Sequence, residues 1–166
     1  LASFISNLAQ VIRIPEPTFS LISLNEQARS VYSLTSIECR QRNIELSLSL
    51  TDNDQYIHVD GIQFEQVLVN IIKNAYEAIG ENGKIKISTH HSPLSIIIED
   101  NGPGISEEAK QKLFTPFFTT KSSGQGIGLM FVREVLTNHR CRFSLSTEEG
   151  YTRFKIFFST ADGTYS

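Results

Sequence analysis

Residues 99–105 have the sequence Glu-Asp-Asn-Gly-Pro-Gly-Ile, and residues 124–129 have the sequence Gly-Gln-Gly-Ile-Gly-Leu. The first stretch ends an apolar run that begins at Leu94, so the Asp100 carboxylate stands at the end of a predicted strand. Both stretches are rich in glycine, which removes side chains where a flat ring or a phosphate has to approach closely. A polar loop of about twenty residues separates them, and loops of that length in compact domains are typically lids or binding loops. The two stretches together predict a nucleotide site under a lid.

The composition is typical of one soluble globular domain. The chain has 166 residues, of which 40% are apolar and 20% are charged, and a chain of this size buries a sizeable core. Its net charge is -3 and its basic residues do not form a stripe, which excludes long-range attraction to nucleic acid or to an anionic membrane. No apolar run approaches the ~18 residues that span a bilayer. Cys39 and Cys141 lack metal-ligand spacing, which predicts reduced thiols in a reducing compartment.

Hydrophobic periodicity predicts a two-layer α/β sandwich. Helices set beside a mixed sheet give this architecture, with about five strands covered on one face by about three helices. The apolar run Ile96 to Ile98 predicts a central strand that is covered on both faces or nearly so. The predicted helices are 24–42, 61–79, 107–114 and 126–137, and the predicted strands are 44–50, 56–59, 84–90, 94–100, 142–147 and 152–159.

The first fourteen residues predict the tail of another helix. Apolar residues at positions 4, 5, 8, 11 and 12 fall on one helical face. Pro15 and Pro17 then end that helix, because proline lacks the amide donor and restricts the residue before it. An apolar pattern that is already under way at Leu1 suggests a piece of a longer protein.

The predicted helix 61–79 has one polar face, made of Asn70, Lys73, Asn74 and Glu77. One interpretation is a solvated helix face. However, asparagine is a mediocre helix former, so two asparagines one turn apart in the middle of a helix need a reason. A side-chain amide oxygen is a hard, neutral ligand that suits Mg²⁺. The face therefore also predicts a metal and phosphate site.

Asp100 has two interpretations. Asn101-Gly102 after it is a strong turn signal, so the carboxylate could only start a turn. An ionised carboxylate is also purely an acceptor, so it can take the exocyclic amine hydrogens of adenine and reject a base with a carbonyl there.

The second glycine cluster precedes a predicted helix, so its backbone amides and the positive helix end can meet a phosphate. Its spacing is not that of dinucleotide-binding folds, because Leu129 takes the last position, and there is no Walker phosphate loop. The alternative is a flexible hinge. Phenylalanines at positions 114, 117 and 118 precede the cluster, and they either enter the core or form a partner-docking patch.

Taken in order, these motifs resemble a known family. They are similar to the N, G1, F and G2 boxes in the catalytic, ATP-binding domain of sensor histidine kinases, which belongs to the GHKL superfamily and has the Bergerat fold. The resemblance extends from about Asn25 to Phe158. The boxes are Gln66-x-x-x-Asn70-x-x-x-Asn74-Ala75, Asp100-x-Gly102-x-Gly104, Phe114-x-Pro116-Phe117-Phe118-x-Thr120-Lys121 and Gly124-x-Gly126-x-Gly128-Leu129.

The resemblance implies a division of the chain. Residues 1–14 would end the helical hairpin that carries dimerisation and the phosphoacceptor, and residues 15–24 would be a linker. Residues 25–160 would be the catalytic ATP-binding domain, and residues 161–166 a tail. The implied parent is a homodimer held by the hairpin, and the piece without the hairpin can be monomeric. The domain is expected in the cytoplasm, with membrane anchoring of the parent left open.

The resemblance also implies a site for ATP and Mg²⁺. Asn74 is expected to hold Mg²⁺, and Asn70 to help place the metal and the phosphates. Asp100 is expected to bind the adenine amine directly and, with Thr152, through a water molecule. Lys121 joins the two asparagines as an expected catalytic residue, and residues 101–125 are the expected lid. The expected nucleotide-binding set is Asn70, Lys73, Asn74, Glu77, Asp100, Gly102, Gly104, Ile105, Phe118, Thr120, Lys121, Gly124, Gln125, Gly126, Ile127, Gly128, Leu129 and Thr152.

The implied activity is transfer of the γ-phosphoryl group of ATP to a histidine on the upstream dimerisation domain. The receiver domain of a response regulator is expected as a further partner, and nucleic acid is not expected as one. The acceptor is expected upstream of Leu1, and this piece alone is not expected to phosphorylate itself. The reason is that none of its histidines stands in a His-acid-x-x-x-Pro context, the four being His58, His90, His91 and His139.

The sequence departs from the family pattern in two further places. Glu77 and Ala78 stand where many members have a basic and then an aromatic residue. This pair resembles the nitrogen-regulator-type branch of the family. It implies that Lys121 carries more of the phosphate contact. His139 is followed by Arg140, where members often have glycine. Two alternatives stay open: a clamp-type ATPase of the same superfamily, which tends to carry a glutamate base near the Asn70 position, and a module that binds nucleotide or a partner without phosphoryl transfer.

Overall fold

The computed structural model describes residues 14–112 and 128–159. In chain order its elements are β1 (Ser20–Ser23), α1 (Leu24–Gln41), β2 (Ile44–Ser49), β3 (Tyr56–Val59), α2 (Gly61–Ile79), β4 (Gly83–His91), β5 (Leu94–Asp100), α3 (Glu107–Lys112), α4 (Gly128–Asn138), β6 (Arg142–Glu148) and β7 (Tyr151–Phe157).

The predicted mixed sheet is confirmed. Five strands lie in the order β2-β4-β5-β7-β6, with β2 and β4 parallel and the other neighbours antiparallel. The helices α1, α2 and α4 pack on one face of it, and the predicted central strand is β5. Ile96 and Ile98 of β5 are buried, whereas Ile97 is half-buried on the other face between Ser88 and Lys155. Only one face of β5 is therefore fully covered, and cross-strand neighbours shield the other.

Helix α2 has the bounds that its periodicity predicts. Asp60 caps its N-terminus, since Asp60 Oδ1 accepts hydrogen bonds from the N–H groups of Ile62 and Gln63, each at 3.1 Å. Gly80 follows its last residue with a φ of 78°, a conformation that suits glycine at a helix end. The apolar stripe packs into the core through Phe64, Val67, Leu68, Ile71, Ile72 and Ala75.

Strand β1 was not predicted, since residues 15–24 were expected to be a linker. It pairs with β3 as a separate two-stranded antiparallel sheet, with Leu21 opposite His58. The chain just before it is tied to the start of α2: the Thr18 N–H donates to Asp60 Oδ2 at 2.9 Å, and Gln63 Nε2 donates to the Pro15 carbonyl at 2.9 Å. The segment that enters the domain is thus fixed to the N-terminus of the helix that carries the two asparagines.

The described residues include no helix long and apolar enough to cross a membrane. Both cysteines are free, and burial raises the pKa of each thiol, that of Cys141 to about 12. Thiols in such surroundings stay protonated and unreactive at neutral pH.

Candidate functional site

A cavity lies between α2, the end of β5 and the start of α4. Several residues singled out in the sequence line it together: Asn74, Asp100, Gly104, Ile105, Leu129 and Thr152. Its remaining walls are mainly apolar and come from Ile71, Ala75, Ala78, Ile98, Pro103, Leu145 and Phe154. An apolar pocket with a few convergent polar groups is the usual form of a small-molecule site.

Asp100 stands at the end of β5, at the wall of this cavity. Its Oδ1 accepts a hydrogen bond from the Gly102 N–H at 2.9 Å, which is the turn that Asn101-Gly102 predicts. The pKa of the Asp100 carboxyl is raised, mainly because the group is buried. The hydrogen bond from the Gly102 N–H lowers this pKa, and the charge of Glu99 raises it further. One hydrogen bond does not exhaust the acceptor capacity of a carboxylate. The turn interpretation and the ligand interpretation are therefore compatible.

Thr152 lies directly opposite Asp100 on β7 and is buried. Its Oγ1 is 3.2 Å from Thr147 Oγ1, which in turn accepts a hydrogen bond from the Ile105 N–H at 3.1 Å. This network ties the glycine-rich loop after β5 to the hairpin of β6 and β7. The sequence analysis did not single out Thr147 as a site residue, although the predicted hairpin pairs it with Thr152.

Two glycines of the loop make room for protein atoms. A Cβ at Gly102 would lie 2.9 Å from Asp100 Oδ1 and 3.2 Å from Ile79 Cγ1. A Cβ at Gly104 would lie 2.9 Å from Thr147 Cγ2, and the φ of Gly104 is +81°. The sequence interpretation assigned these glycines to ligand approach. The structure gives both of them a packing role, and Gly104 also lines the cavity.

The polar face of α2 divides into two parts. Asn74 lines the cavity, and Asn70 lies one turn before it, half-buried and outside the lining. Lys73 and Glu77 form an i,i+4 ion pair at 3.9 Å, with the Lys73 side chain 57% exposed. The solvated-face interpretation thus describes Lys73, whereas the Glu77 side chain is only 28% exposed and Asn74 lines the cavity. Within residues 14–112 and 128–159, no group of three or more His, Cys, Asp or Glu side chains is placed to hold a metal ion.

The rest of the expected site falls mostly outside the described residues. This holds for Phe118, Thr120, Lys121, Gly124, Gln125, Gly126 and Ile127. Gly128 is the first residue of α4, and Leu129 after it lines the cavity. The N-terminal end of α4 therefore lies at the site, and backbone amides at a helix N-terminus are suited to anions.

Residues 59–162 match the model of the family of histidine kinase-, DNA gyrase B- and HSP90-like ATPases. Among curated proteins, the chain is 30% identical over 148 residues to the sensor histidine kinase ZraS of Escherichia coli, covering 88% of this chain and 32% of ZraS. It is 33% identical over 150 residues to the histidine-protein kinase AtoS of the same organism, covering 89% of this chain and 25% of AtoS. The chain thus spans about a third or less of these relatives.

Solved structures that are similar to this chain are also histidine kinases. The nucleotide-free catalytic domain of histidine kinase ThkA superposes with a TM-score of 0.76 at 35% identity, covering 85% of this chain and 95% of that domain. ThkA in complex with the response regulator protein TrrA superposes with a TM-score of 0.76 at 29% identity, covering 95% of this chain and 47% of the ThkA chain.

Proposed function

We propose that residues 25–160 are the ATP-binding catalytic domain of a sensor histidine kinase. The chain belongs to the family of histidine kinase-, DNA gyrase B- and HSP90-like ATPases. The observation that carries the proposal is the convergence of Asn74, Asp100 and Thr152 on one cavity, where α2, β5 and β7 meet. The reaction is transfer of the γ-phosphoryl group of ATP to a histidine of a dimerisation domain in the parent protein.

Asp100 would select adenine. Its carboxylate accepts hydrogen bonds and donates none when ionised, so it pairs with an exocyclic amine and repels a carbonyl. Ile98, Leu145 and Phe154 supply apolar walls for the flat ring. Burial of the carboxylate strengthens a hydrogen bond that it accepts, since the local dielectric is lower than in water.

The asparagines of α2 would hold Mg²⁺. Their amide oxygens are hard, neutral donors, which fits an ion that keeps several waters and the substrate phosphates as its other ligands. Bound Mg²⁺ would neutralise charge on the phosphates during transfer. Asn74 lies at the cavity wall, which supports this role, and Asn70 would assist from one turn earlier on the helix. Lys73 and Glu77 would form the solvent-facing rim of the site.

The phosphates would extend toward α4. Gly128 and Leu129 at its start present backbone amides, and the positive end of the helix favours anions. From the resemblance, Lys121 and residues 124–127 contribute further phosphate contacts. Lys121 matters most, because α2 has Glu77 and Ala78 where related kinases often have a basic and then an aromatic residue.

The phosphoacceptor would come from another part of the parent protein. None of the four histidines lines the cavity, and the buried one, His139, is held by two hydrogen bonds at the far end of α4. Phosphoryl transfer depends mostly on positioning and electrostatics, so this domain needs no nucleophile of its own. The clamp-type ATPase alternative needs a general base, and the Asn70 amide cannot abstract a proton.

The parent would act as a homodimer and pass the phosphoryl group to a response regulator receiver domain. Support for the second partner comes from ThkA, whose structure in complex with the response regulator protein TrrA superposes on this chain.

Base selectivity tests this proposal directly. Calorimetric titration of the chain with Mg-ATP and with Mg-GTP should give saturable binding for ATP only. Equal binding of both nucleotides would contradict the role of Asp100, and binding of neither would contradict the proposed function.

A further inference from the structure

His139 is a buried histidine that the proposed reaction does not use. It directly follows α4, and only 9% of its surface is exposed. Its Nδ1 is 2.8 Å from the Val135 carbonyl oxygen, and its Nε2 is 3.0 Å from the Asp60 nitrogen. The ring thus joins the C-terminal end of α4 to the residue that caps the N-terminus of α2.

These contacts define the protonation state of the ring. A carbonyl oxygen only accepts hydrogen bonds, so Nδ1 carries the proton. A backbone N–H only donates, so Nε2 presents its lone pair to Asp60. The geometry requires the neutral imidazole with its proton on Nδ1.

The same junction includes the chain that enters the domain. Phe19 meets the His139 ring edge-on with centroids 5.1 Å apart, and Phe64 of α2 lies 6.5 Å away. The Thr18 N–H donates to the carboxylate of Asp60. The imidazole therefore contacts the segment before β1, the start of α2 and the end of α4.

We infer that His139 is a positioning residue for nucleotide binding: its neutral imidazole fixes α4 against the N-terminus of α2, and so fixes the two cavity walls that these helices carry. This inference rests on the proposed function. Asn74 lies about 20 Å along α2 from the junction and Leu129 about 15 Å along α4, at the helical rise per residue. Because helices are stiff, a small tilt at the junction displaces both residues in the cavity.

Protonation of the ring would release this contact. Imidazolium carries a proton on Nε2, which would face the Asp60 N–H and could not accept from it. Among the described residues, the charged group that faces the His139 ring is the Asp60 carboxylate. A second titratable residue, His58, stacks on Phe19, which itself contacts the His139 ring. Burial lowers the pKa of His139 and outweighs the Val135 carbonyl and the Asp60 charge, which raise it. The junction is thus intact at neutral pH and weakens as the pH falls below the usual histidine range of about 6.5.

Nucleotide affinity measured against pH tests the inference. Three variants are compared with the wild type: His139→Phe keeps the aromatic packing and removes both hydrogen bonds, His139→Gln keeps a donor and an acceptor without titrating, and His91→Gln changes an exposed histidine. The dissociation constant for Mg-ADP is measured by calorimetry from pH 8 to 5.5. Titration of the nucleotide itself is common to all four proteins and cancels in the comparison.

We expect His139→Phe to bind Mg-ADP about tenfold more weakly at pH 7.5, because nucleotide binding must then order the two helices that the hydrogen bonds hold together in the wild type. His139→Gln should bind like the wild type at pH 7.5 and lack the extra loss of affinity at low pH. His91→Gln should follow the wild type throughout. Wild-type affinity and pH profile in His139→Phe would overturn the inference. If that variant does not fold, a wild-type pH profile in His139→Gln would overturn it.

A second readout separates this inference from the proposed function. Amide hydrogen exchange at Ile62 and Gln63, measured without nucleotide, should be faster in His139→Phe than in the wild type and unchanged in His91→Gln. Failure of the wild type to bind any nucleotide would contradict the proposed function. Unchanged exchange in His139→Phe would contradict the positioning role.

Discussion

Asp100 and Thr152 are direct cross-strand neighbours, at the end of β5 and near the start of β7. Both side chains line the cavity, together with Asn74 from α2. The rigid sheet therefore places the proposed adenine contacts. The adjoining loop is anchored to the same strands through Thr147 and Ile105.

The Asp100→Asn substitution should abolish binding of adenine nucleotides while the fold survives. The amide oxygen of asparagine can still accept from the Gly102 N–H, but its NH₂ group would then face the adenine amine, donor against donor. Calorimetric titration with Mg-ATP measures the loss, and circular dichroism checks the fold. Glu99→Gln is the matched control, since Glu99 pairs with Arg153 at 2.6 Å on the other face of the sheet. An unchanged titration curve for Asp100→Asn would remove Asp100 from its role.

Asn74→Ala should make nucleotide affinity insensitive to Mg²⁺. In the wild type we expect chelation of the metal to weaken ATP binding, because the asparagine amide and the phosphates share the ion. Affinities measured with Mg²⁺ and with a chelator give the ratio for each protein. Ile62→Ala, a change at a 76% exposed position of the same helix, should keep the wild-type ratio. A full Mg²⁺ effect in Asn74→Ala would place the metal elsewhere.

Gly104→Ala should destabilise the domain more than Gly150→Ala. Both glycines have positive φ, +81° and +82°, where an L side chain costs about 1–2 kcal/mol. A Cβ at Gly104 also meets Thr147 at 2.9 Å, whereas at Gly150 nothing lies within 4 Å. The free energies of unfolding in urea measure the difference. Equal losses in the two variants would show that the Thr147 contact relaxes without cost.

Asp60→Ala should reduce the free energy of unfolding by about 1–2 kcal/mol, the usual cost of losing a helix cap. The hydrogen bond from the Thr18 N–H makes the largest contribution to lowering the pKa of the Asp60 carboxyl. Burial opposes it, and the N–H groups of Gln63 and Ile62 and the charge of the protonated His139 ring add to it. A lowered carboxyl pKa gives stability that is present above the unfolded value of 3.8 and is lost as the pH falls below it. Urea unfolding at pH 7 and at pH 3 should therefore show a smaller difference between wild type and variant at the lower pH. A difference that stays the same would exclude the ionised carboxylate as its source.

The sequence predicted the parts of the fold that have strong local patterns. The apolar stripe of α2 and the run Ile96 to Ile98 are long enough to define a helix and a buried strand on their own. β1 was missed because it has only four residues, Ser20 to Ser23, and exists through pairing with β3, which lies more than thirty residues later. Such pairing is set by tertiary contacts that periodicity does not contain.

For the candidate site, too, local sequence patterns predicted some residues and contacts distant in sequence determined others. Asn74 and Asp100 could be proposed as candidates from the sequence, because Asn74 is the second of two asparagines in the middle of a helix and Asp100 ends an apolar strand. The roles of Thr147 and His139 could not be predicted, since they depend on contacts with Ile105 and Asp60, which are distant in sequence. The sequence predicted that a ligand approaches the glycines at 102 and 104; the structure shows that the atoms close to them belong to Asp100, Ile79 and Thr147.

The central proposal is that this domain catalyses transfer of the γ-phosphoryl group of ATP to a histidine outside it. The most direct test is incubation of the parent protein, or of this chain with the segment that precedes it, with γ-labelled ATP and Mg²⁺, followed by separation of protein-bound from free phosphate. We predict an acid-labile, base-stable label on the preceding segment and none on this chain alone. Free phosphate without protein label would contradict the claim and indicate a clamp-type ATPase, and label on this chain alone would contradict the absence of an acceptor within it.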